Sequence, residues 1–244
     1  MLPDHLEPES GVPLSRPGGI GDAEDRDHHF RHAETLLSMP ARKAGLMSVD
    51  KWNQRYAGRD LVWTAAPNQF LVAEVGSLAP GRALDLGCGE GRNAVWLAEQ
   101  GWKVTAVDFS DVGVEKGRAM AANRGVEVDW VVEDLNTYQP EAGTFDLVID
   151  FYIHLAPDQR RALTAKGAAA LAPGGTLLIV GHHVDNLEGG YGGPQDPALL
   201  HHPEMVSSDL EDLAIVKAER VERVVDTDEG SFVALDSLVR ATAG

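Results

Sequence analysis

The sequence has a single cysteine, Cys88, among 244 residues. This count excludes an internal disulfide framework and is typical of proteins in a reducing compartment. No apolar run approaches the roughly 18 residues that a membrane-spanning helix requires, and the N-terminus lacks the basic-then-apolar pattern of a secretory signal. These features together predict a cytoplasmic protein with no membrane partner.

Basic residues are also scarce, since 21 Lys and Arg residues stand against 38 Asp and Glu residues, for a net charge of −17. A surface of this sign repels phosphate backbones and anionic lipid head groups. Nucleic acids and membranes are therefore disfavoured as partners, and a small soluble molecule is favoured. Composition does not indicate an oligomeric state.

One glycine-rich stretch, A-L-D-L-G-C-G-E-G-R-N-A, combines the features of a ligand-binding turn. Ala83–Leu86 is a short apolar run broken only by Asp85, which predicts a buried parallel strand. Asn93–Glu99 follows with helical spacing of its apolar residues. Between them, three glycines allow a sharp turn, so that exposed backbone amides would face a ligand: Gly87, Gly89 and Gly91.

The glycine spacing and the neighbouring acid indicate which ligand this turn would hold. A dinucleotide fingerprint is G-x-G-x-x-G, whereas this stretch reads D-x-G-x-G-x-G. Asp85 would repel a pyrophosphate but suits a ligand with a positive amino group. S-adenosylmethionine carries such a group. The alternative is a structural turn in which Asp85 has no ligand role.

Two motifs, D-L-G-C-G-E-G and V-T-A-V-D-F-S, resemble the first two motifs of the class I S-adenosylmethionine-dependent methyltransferases. The resemblance runs from about Lys51 to Ala243. Within that class, W-N-Q-R-Y and G-Y-G-G-P-Q-D resemble the small bacterial branch related to tellurite-resistance and thiopurine S-methyltransferases. The resemblance implies a doubly wound α/β fold, with a mostly parallel seven-stranded sheet that ends in an antiparallel hairpin.

The cofactor residues follow from the motifs. Asp85 would hold the amino group, and Asp108, 23 positions later, would accept from the two ribose hydroxyls. Phe109 would lie against the adenine. By resemblance Asp134 and the amide of Leu135 would contact the adenine edge, although Asp134 could instead cap nearby amides. The other residues of the predicted cofactor site are Gly87, Cys88, Gly89, Gly91, Asn93, Ser110 and Asp150.

The predicted acceptor site lies where the fourth strand ends, because that edge of the sheet faces the transferable methyl group. Tyr152 and His154 are the candidate catalytic residues. His154 would take or orient a proton, or alternatively would cap the next helix. Tyr56 and Trp63 are predicted as aromatic walls, and His182 and Tyr191 as acceptor contacts. No metal site is predicted, because adjacent histidines point to opposite sides of an extended chain, and the only candidates for further ligands are His201 and His202.

The predicted organisation is a disordered extension over residues 1–46 followed by a methyltransferase domain over residues 47–244. The predicted reaction is an in-line displacement that transfers a methyl group from S-adenosylmethionine to a small soluble acceptor, such as a thiol or another soft nucleophile. Two alternatives stay open. One is a nucleotide-dependent oxidoreductase, and the other is a non-catalytic protein that binds S-adenosylmethionine and partners another subunit.

Overall fold

The computed structural model describes residues 48–244, so the predicted extension over residues 1–46 lies outside the described part of the chain. Described helices and strands alternate along most of the chain, as expected for an α/β protein. In chain order they are α1 (Val49–Tyr56), α2 (Gln69–Val75), β1 (Arg82–Leu86), α3 (Arg92–Glu99), β2 (Lys103–Asp108), α4 (Asp111–Arg124), β3 (Asp129–Val132), β4 (Phe145–Phe151), α5 (Pro157–Ala170), β5 (Leu171–His182), α6 (Asn186–Gly189), a 3₁₀ turn (Pro197–Leu199), α7 (Pro203–Ser208), β6 (Ala214–Thr227) and β7 (Gly230–Thr242).

The strands form one seven-stranded sheet in the order β3-β2-β1-β4-β5-β7-β6. Neighbouring strands from β3 to β5 pair in parallel, whereas β7 pairs antiparallel with both β5 and β6. The prediction of a doubly wound sheet with a C-terminal antiparallel hairpin is confirmed. The strand order reverses at β1 and β4, and α/β folds bind ligands at the carboxyl ends of strands on either side of such a reversal.

The central strands are apolar in consecutive residues because both faces of the sheet are covered. In β4, Leu147 and Ile149 belong to one buried cluster, and Val148 between them belongs to the other. The sequence of β5 divides in the same way, with Leu178 in the first cluster and Leu177 in the second. A rigid two-sided core therefore fixes the positions of the strand ends.

Several predicted boundaries were wrong. The sequence pattern predicts a third strand over Val126–Val132, whereas β3 begins at Asp129, which is the first residue to pair with β2. The sequence pattern predicts a fourth strand over Gly143–Ile149, whereas β4 begins at Phe145 and continues through Phe151, since Asp150 pairs with both Leu86 and Ile179. The glycine-rich run over residues 184–203 predicts one long loop, but it contains α6 and the 3₁₀ turn. The helix that the sequence predicts over Pro203–Leu213 ends at Ser208.

Candidate functional site

Three carboxylates meet at the carboxyl edge of the sheet, on β1, β2 and β4. Asp85, Asp108 and Asp150 are each at most 5% exposed. Burial raises the pKa of Asp85 to about 8, with nearby Asp108 adding to the effect, and burial raises the pKa of Asp150 to about 7. Oδ2 of Asp85 and Oδ1 of Asp150 have no hydrogen-bond partner within the described residues. Such buried acceptors need a donor from elsewhere.

The glycine turn does not offer its amides to a ligand in the predicted way. The amides of Gly87 and Cys88 both donate to the carbonyl of Val107, and the amide of Gly91 donates to the carbonyl of Cys88. The expectation of an exposed amide cradle was therefore wrong. Because β1 and β2 end side by side, β2 supplies the nearest carbonyl, and the turn is tied to it.

The glycines of this turn provide backbone conformation and close approach. Gly87, Gly89 and Gly91 all have positive φ, which favours glycine. A Cβ on Gly89 would lie 2.8 Å from the hydroxyl oxygen of Tyr56, and one on Gly87 would lie 2.7 Å from Ile153 Cδ1. Side chains from two other segments therefore come directly against the turn.

Asp108 connects the glycine turn to the start of α4. Its Oδ2 accepts from the amide of Gly89 (2.8 Å), and its Oδ1 accepts from the amide of Ser110 (2.8 Å). Ser110 is the N-cap of α4, where its Oγ accepts from the amide of Gly113 (3.1 Å) and donates to Oδ1 of Asn53 (2.5 Å). The side chain of Ser110 thus fastens α1 to α4.

Glu90, inside the glycine motif, holds the segment between α1 and α2. Its carboxylate is 2% exposed and accepts from the amides of Val62 and Trp63, each at 3.1 Å. Lys116 of α4 donates to the same carboxylate at 2.9 Å and to the carbonyl of Asp60 at 2.7 Å. Sequence reasoning missed Glu90 because the glycine spacing treats its position as variable.

The two predicted aromatic walls differ in environment. Tyr56 is buried, and its ring stacks on Trp52 with centroids 5.3 Å apart. Trp63 is 41% exposed, and the guanidinium of Arg55 lies 4.8 Å from its ring and 5.0 Å from that of Trp52. A cation already occupies one face of Trp63, whereas Tyr56 faces the glycine turn.

Other predicted cofactor residues make contacts within the protein. Oδ1 of Asn93 accepts from the amide of Asn68, so it holds the start of α2 (2.9 Å). Oδ1 of Asp134 accepts from the amide and the side chain of Asn136, both at 2.8 Å. The capping role left open for Asp134 is thus present in the structure. Leu135 and Phe109 are half-buried beside the same edge, and the Cys88 thiol lies against the core with its pKa raised by burial.

Tyr152 has φ of 60°, an uncommon left-handed conformation for a residue with a side chain. Its hydroxyl donates to Oδ2 of Asp236 (2.7 Å) and accepts from Nε of Arg223 (2.9 Å). Arg223 also donates to Asp236, which is fully buried. Arg223 lies on β6 and Asp236 on β7, and only the antiparallel register brings them to Tyr152, so sequence spacing carried no signal for either.

His154 does not cap α5, and that alternative was wrong. The N-cap position is Ala156, and His154 Nδ1 lies 3.0 Å from the carbonyl oxygen of Leu199. Its Nε2 lies 2.9 Å from Nδ1 of His182. His201 completes a cluster, with its ring centroid 5.5 Å from that of His154. Sequence reasoning placed His201 only in a disfavoured metal site.

His182 and His183 point to opposite sides, as predicted. The ring of His183 accepts from the amide of Asp185 and lies near His202, away from His154. Tyr191 stacks on Phe232 with centroids 4.5 Å apart, and its contact with the methyl acceptor stays a prediction.

Within residues 48–244, no group of three or more His, Cys, Asp or Glu side chains has metal-binding geometry. A groove of about 870 Å³ at the other, amino end of β1–β3 contains none of the predicted site residues.

Comparisons with known proteins identify the class. Residues 83–175 match a family described as a methyltransferase domain. Probable thiol methyltransferase 2 of Arabidopsis thaliana is 32% identical over 146 residues, which are 57% of this chain and 64% of that protein. Hemagglutinin 1 of Eikenella corrodens is 35% identical over 182 residues, which are 74% of this chain and 56% of that protein.

A solved structure, described as the conversion of a disulfide bond into a thioacetal group during echinomycin biosynthesis, superposes with a TM-score of 0.66 at 23% identity. The alignment covers 80% of this chain and 92% of that one. Residues 83–175 therefore carry the similarity to a methyltransferase domain, and the class I S-adenosylmethionine-dependent methyltransferases are the family that these comparisons support. The chain spans between 32% and 64% of the length of the first curated relatives that it matches.

S-adenosylmethionine is the cofactor of this class, and the residues at the sheet edge fit it. The unpartnered oxygens of Asp85 and Asp150 are the acceptors that a buried ammonium requires. Each oxygen of Asp108 accepts a hydrogen bond from one amide and retains a lone pair for a hydroxyl.

None of the helices within residues 48–244 has the length and apolar character that a membrane-spanning helix needs.

The buried carboxylates and histidines predict a stability maximum near pH 6.5. The folded pKa values of His154, His182 and His201 are lowered from 6.5 to about 3, 4 and 3. The unfolded chain therefore binds three more protons at these sites below pH 6.5, and stability falls as pH drops. Asp85 and Asp150 act oppositely, because their raised folded pKa values make stability fall as pH rises from about 4 toward 8.

At pH 5 the three histidines outnumber Asp85 and Asp150 by about one proton, so we expect stability to rise there by at most about 1.4 kcal/mol per pH unit, and the slope to fall to zero near pH 6.5 as the histidines of the unfolded chain deprotonate. Above pH 6.5 only the carboxylates act, and stability declines toward pH 8. Urea unfolding at fixed ionic strength measures this curve. A free energy of unfolding that still increases between pH 7 and 8 would contradict the buried, unpaired state of Asp85 and Asp150.

Proposed function

We propose that the protein is an enzyme that transfers a methyl group from S-adenosylmethionine to a small soluble acceptor, with thiols and other soft nucleophiles as the acceptor class. The observation that carries this proposal is the group of three buried carboxylates at the carboxyl ends of β1, β2 and β4, two of them with an unpartnered oxygen. The match of residues 83–175 to a methyltransferase domain supports it.

In this proposal the binding roles follow the sequence expectations. Asp85 receives the ammonium group, Asp108 the ribose hydroxyls, and Phe109 with Leu135 the adenine. Tyr56, which already lies against Gly89, closes the site from the side of α1. The bound cofactor supplies a methyl group activated by a sulfonium. The residues of this chain align the acceptor with that group and exclude water.

The acceptor class is supported by three considerations. The net charge of −17 disfavours nucleic acid. One relative is named a thiol methyltransferase, and the superposed structure is described in terms of sulfur chemistry, the conversion of a disulfide bond into a thioacetal group. The cytoplasmic location inferred from the single cysteine is part of the same proposal.

The test is release of S-adenosylhomocysteine by the full chain on a panel of thiols, selenium and tellurium oxyanions, thiopurines, phenols and amines. We expect turnover on the soft acceptors. Turnover only on phenols or amines would overturn the acceptor class but not the reaction. Binding of S-adenosylmethionine without turnover on any acceptor would favour a non-catalytic binding protein, and binding of NADH without S-adenosylmethionine would establish an oxidoreductase.

A further inference from the structure

Three histidine rings converge at the carboxyl edge of β4 and β5. His154 follows β4, His182 is the last residue of β5, and His201 precedes α7. The ring centroids of His154 and His182 are 5.1 Å apart, and Tyr152 lies 5.0 Å from His182. This edge adjoins the carboxylates described above, because β4 is the neighbour of β1.

The hydrogen bonds of this cluster determine which ring nitrogens carry protons. The carbonyl of Leu199 can only accept, so Nδ1 of His154 is its donor and carries the proton. Burial and the neighbouring His182 lower the pKa of His154 to about 3, so the ring is neutral and its Nε2 is an acceptor. Nδ1 of His182 must then donate to it. A neutral His182 consequently keeps its lone pair on Nε2.

The ring nitrogens of the three histidines differ in solvent exposure and in hydrogen bonding. Both ring nitrogens of His201 are buried without a partner, and those of His154 are both occupied. Nε2 of His182 makes no hydrogen bond within residues 48–244 and is not among the buried unpartnered atoms. It is therefore the nitrogen of the cluster that a small molecule at this edge can reach.

We propose that His182 Nε2, rather than His154, is the proton acceptor of the methyl-transfer site, and that His154 is a positioning residue that holds His182 in the required tautomer through the carbonyl of Leu199. This inference rests on the proposed function and names its substrate class more closely. Among the soft acceptors, it favours those that carry a proton on the nucleophilic atom, as a thiol does.

The methyl transfer conserves atoms and charge. The acceptor X–H gives its proton to Nε2 of His182, and the electron pair of X forms the bond to the methyl carbon. The carbon–sulfur bond breaks with its electrons returning to sulfur, which becomes a neutral thioether. The positive charge passes from the sulfonium to the imidazolium of His182 and then to water.

The surroundings keep His182 unprotonated until that step. Arg223 from β6, Tyr152 after β4, His154 and His201 face or adjoin the ring, and Asp236 of β7 is already paired with Arg223 and Tyr152. Burial, Arg223 and His201 lower the pKa of His182 to about 4. His182 is therefore unprotonated throughout the neutral range. Protonation of His182 should reduce the turnover of the wild type only below about pH 5.

The test compares two thiols that differ in ionisation at neutral pH: 2-mercaptoethanol, which is protonated, and 4-nitrothiophenol, which is ionised. We expect His182→Gln to lower kcat/KM for 2-mercaptoethanol by about 100-fold or more, with less than about a threefold loss on 4-nitrothiophenol. His202→Gln is the matched control, since His202 is exposed and on the other side of the chain. Added imidazole should partly restore a His182→Gly variant.

Equal losses on both thiols, or no loss on 2-mercaptoethanol, would overturn the role of His182. His154→Asn keeps a donor for Leu199 but removes the acceptor for His182, and should lower kcat with unchanged affinity for S-adenosylmethionine. Nitrogen NMR of the histidines gives an independent readout, and a proton on Nε2 of His182 in the free protein would contradict the proposal. Absence of wild-type turnover would instead overturn the proposed function itself.

Discussion

Replacing Asp108 with asparagine is expected to weaken the binding of S-adenosylmethionine by at least tenfold. Each hydrogen bond to a charged group contributes about 1.5–3 kcal/mol, and about 1.4 kcal/mol corresponds to a factor of ten. In the free protein the two oxygens accept from the amides of Gly89 and Ser110. An asparagine NH₂ group would face one of those amides, donor to donor. Calorimetric titration of the full chain with S-adenosylmethionine measures the change.

The matched control is Asp129→Asn, because Asp129 is an exposed acid at the amino end of β3, the edge of the sheet that lacks the three carboxylates. Asp129→Asn removes the same charge as Asp108→Asn and should leave the affinity for S-adenosylmethionine unchanged. Since Asp108 also holds two amides, urea unfolding of D108N shows that the variant is folded under the binding conditions. Wild-type affinity in folded D108N would contradict the ribose-binding role of Asp108.

Replacing Asp236 with alanine is expected to lower the free energy of unfolding by about 3–5 kcal/mol, the usual result of removing one member of a buried ion pair. Asp236 is fully buried, and its loss leaves the hydroxyl of Tyr152 without an acceptor and the guanidinium of Arg223 without its carboxylate partner. Asn68 also donates to the Tyr152 hydroxyl (3.3 Å), so the disturbance should extend to the start of α2. Urea unfolding measures the change.

Asp185→Ala is the control for that experiment. Asp185 pairs with Arg220 of the same strand β6 at 2.7 Å, but both side chains are about half exposed, so its removal should cost less than about 1 kcal/mol. A combined Arg223→Met, Asp236→Leu variant should recover much of the lost stability, since apolar groups can replace a buried pair. Equal destabilisation by D236A and D185A would show that the buried network contributes no more than a surface pair.

The family resemblance implied the fold class, and local patterns in the sequence were sufficient for several boundaries. The sequence predicts Ser110 or Asp111 as the N-cap of α4 and Gly125 as its end, and in the structure Ser110 is the N-cap and Gly125 is a left-handed C-cap. The opposite directions of His182 and His183 followed from strand periodicity alone. Helix caps and strand alternation depend only on residues that are close in the sequence, so they can be predicted without knowledge of the tertiary structure.

Interactions between distant strands were not predictable in the same way. The amides of the glycine turn bond to Val107 because β2 ends beside β1, and no local pattern specifies that pairing. Asp236 reaches Tyr152 only through the register of β5 and β7, in which His182 lies opposite Asp236. The site residues meet across as many as 84 positions of sequence.

The sequence by itself therefore determined the order of strands and helices, the acids at the strand ends and the class of ligand, because each depends on residue type and short-range spacing. Only the tertiary structure decided which groups are already occupied. In the tertiary structure the amides of the glycine turn already donate to acceptors within the protein, Tyr152 is hydrogen-bonded to Asp236, and His154 is hydrogen-bonded to His182. Those outcomes depend on burial and on the pairing of distant strands, which decide where each buried donor finds its acceptor.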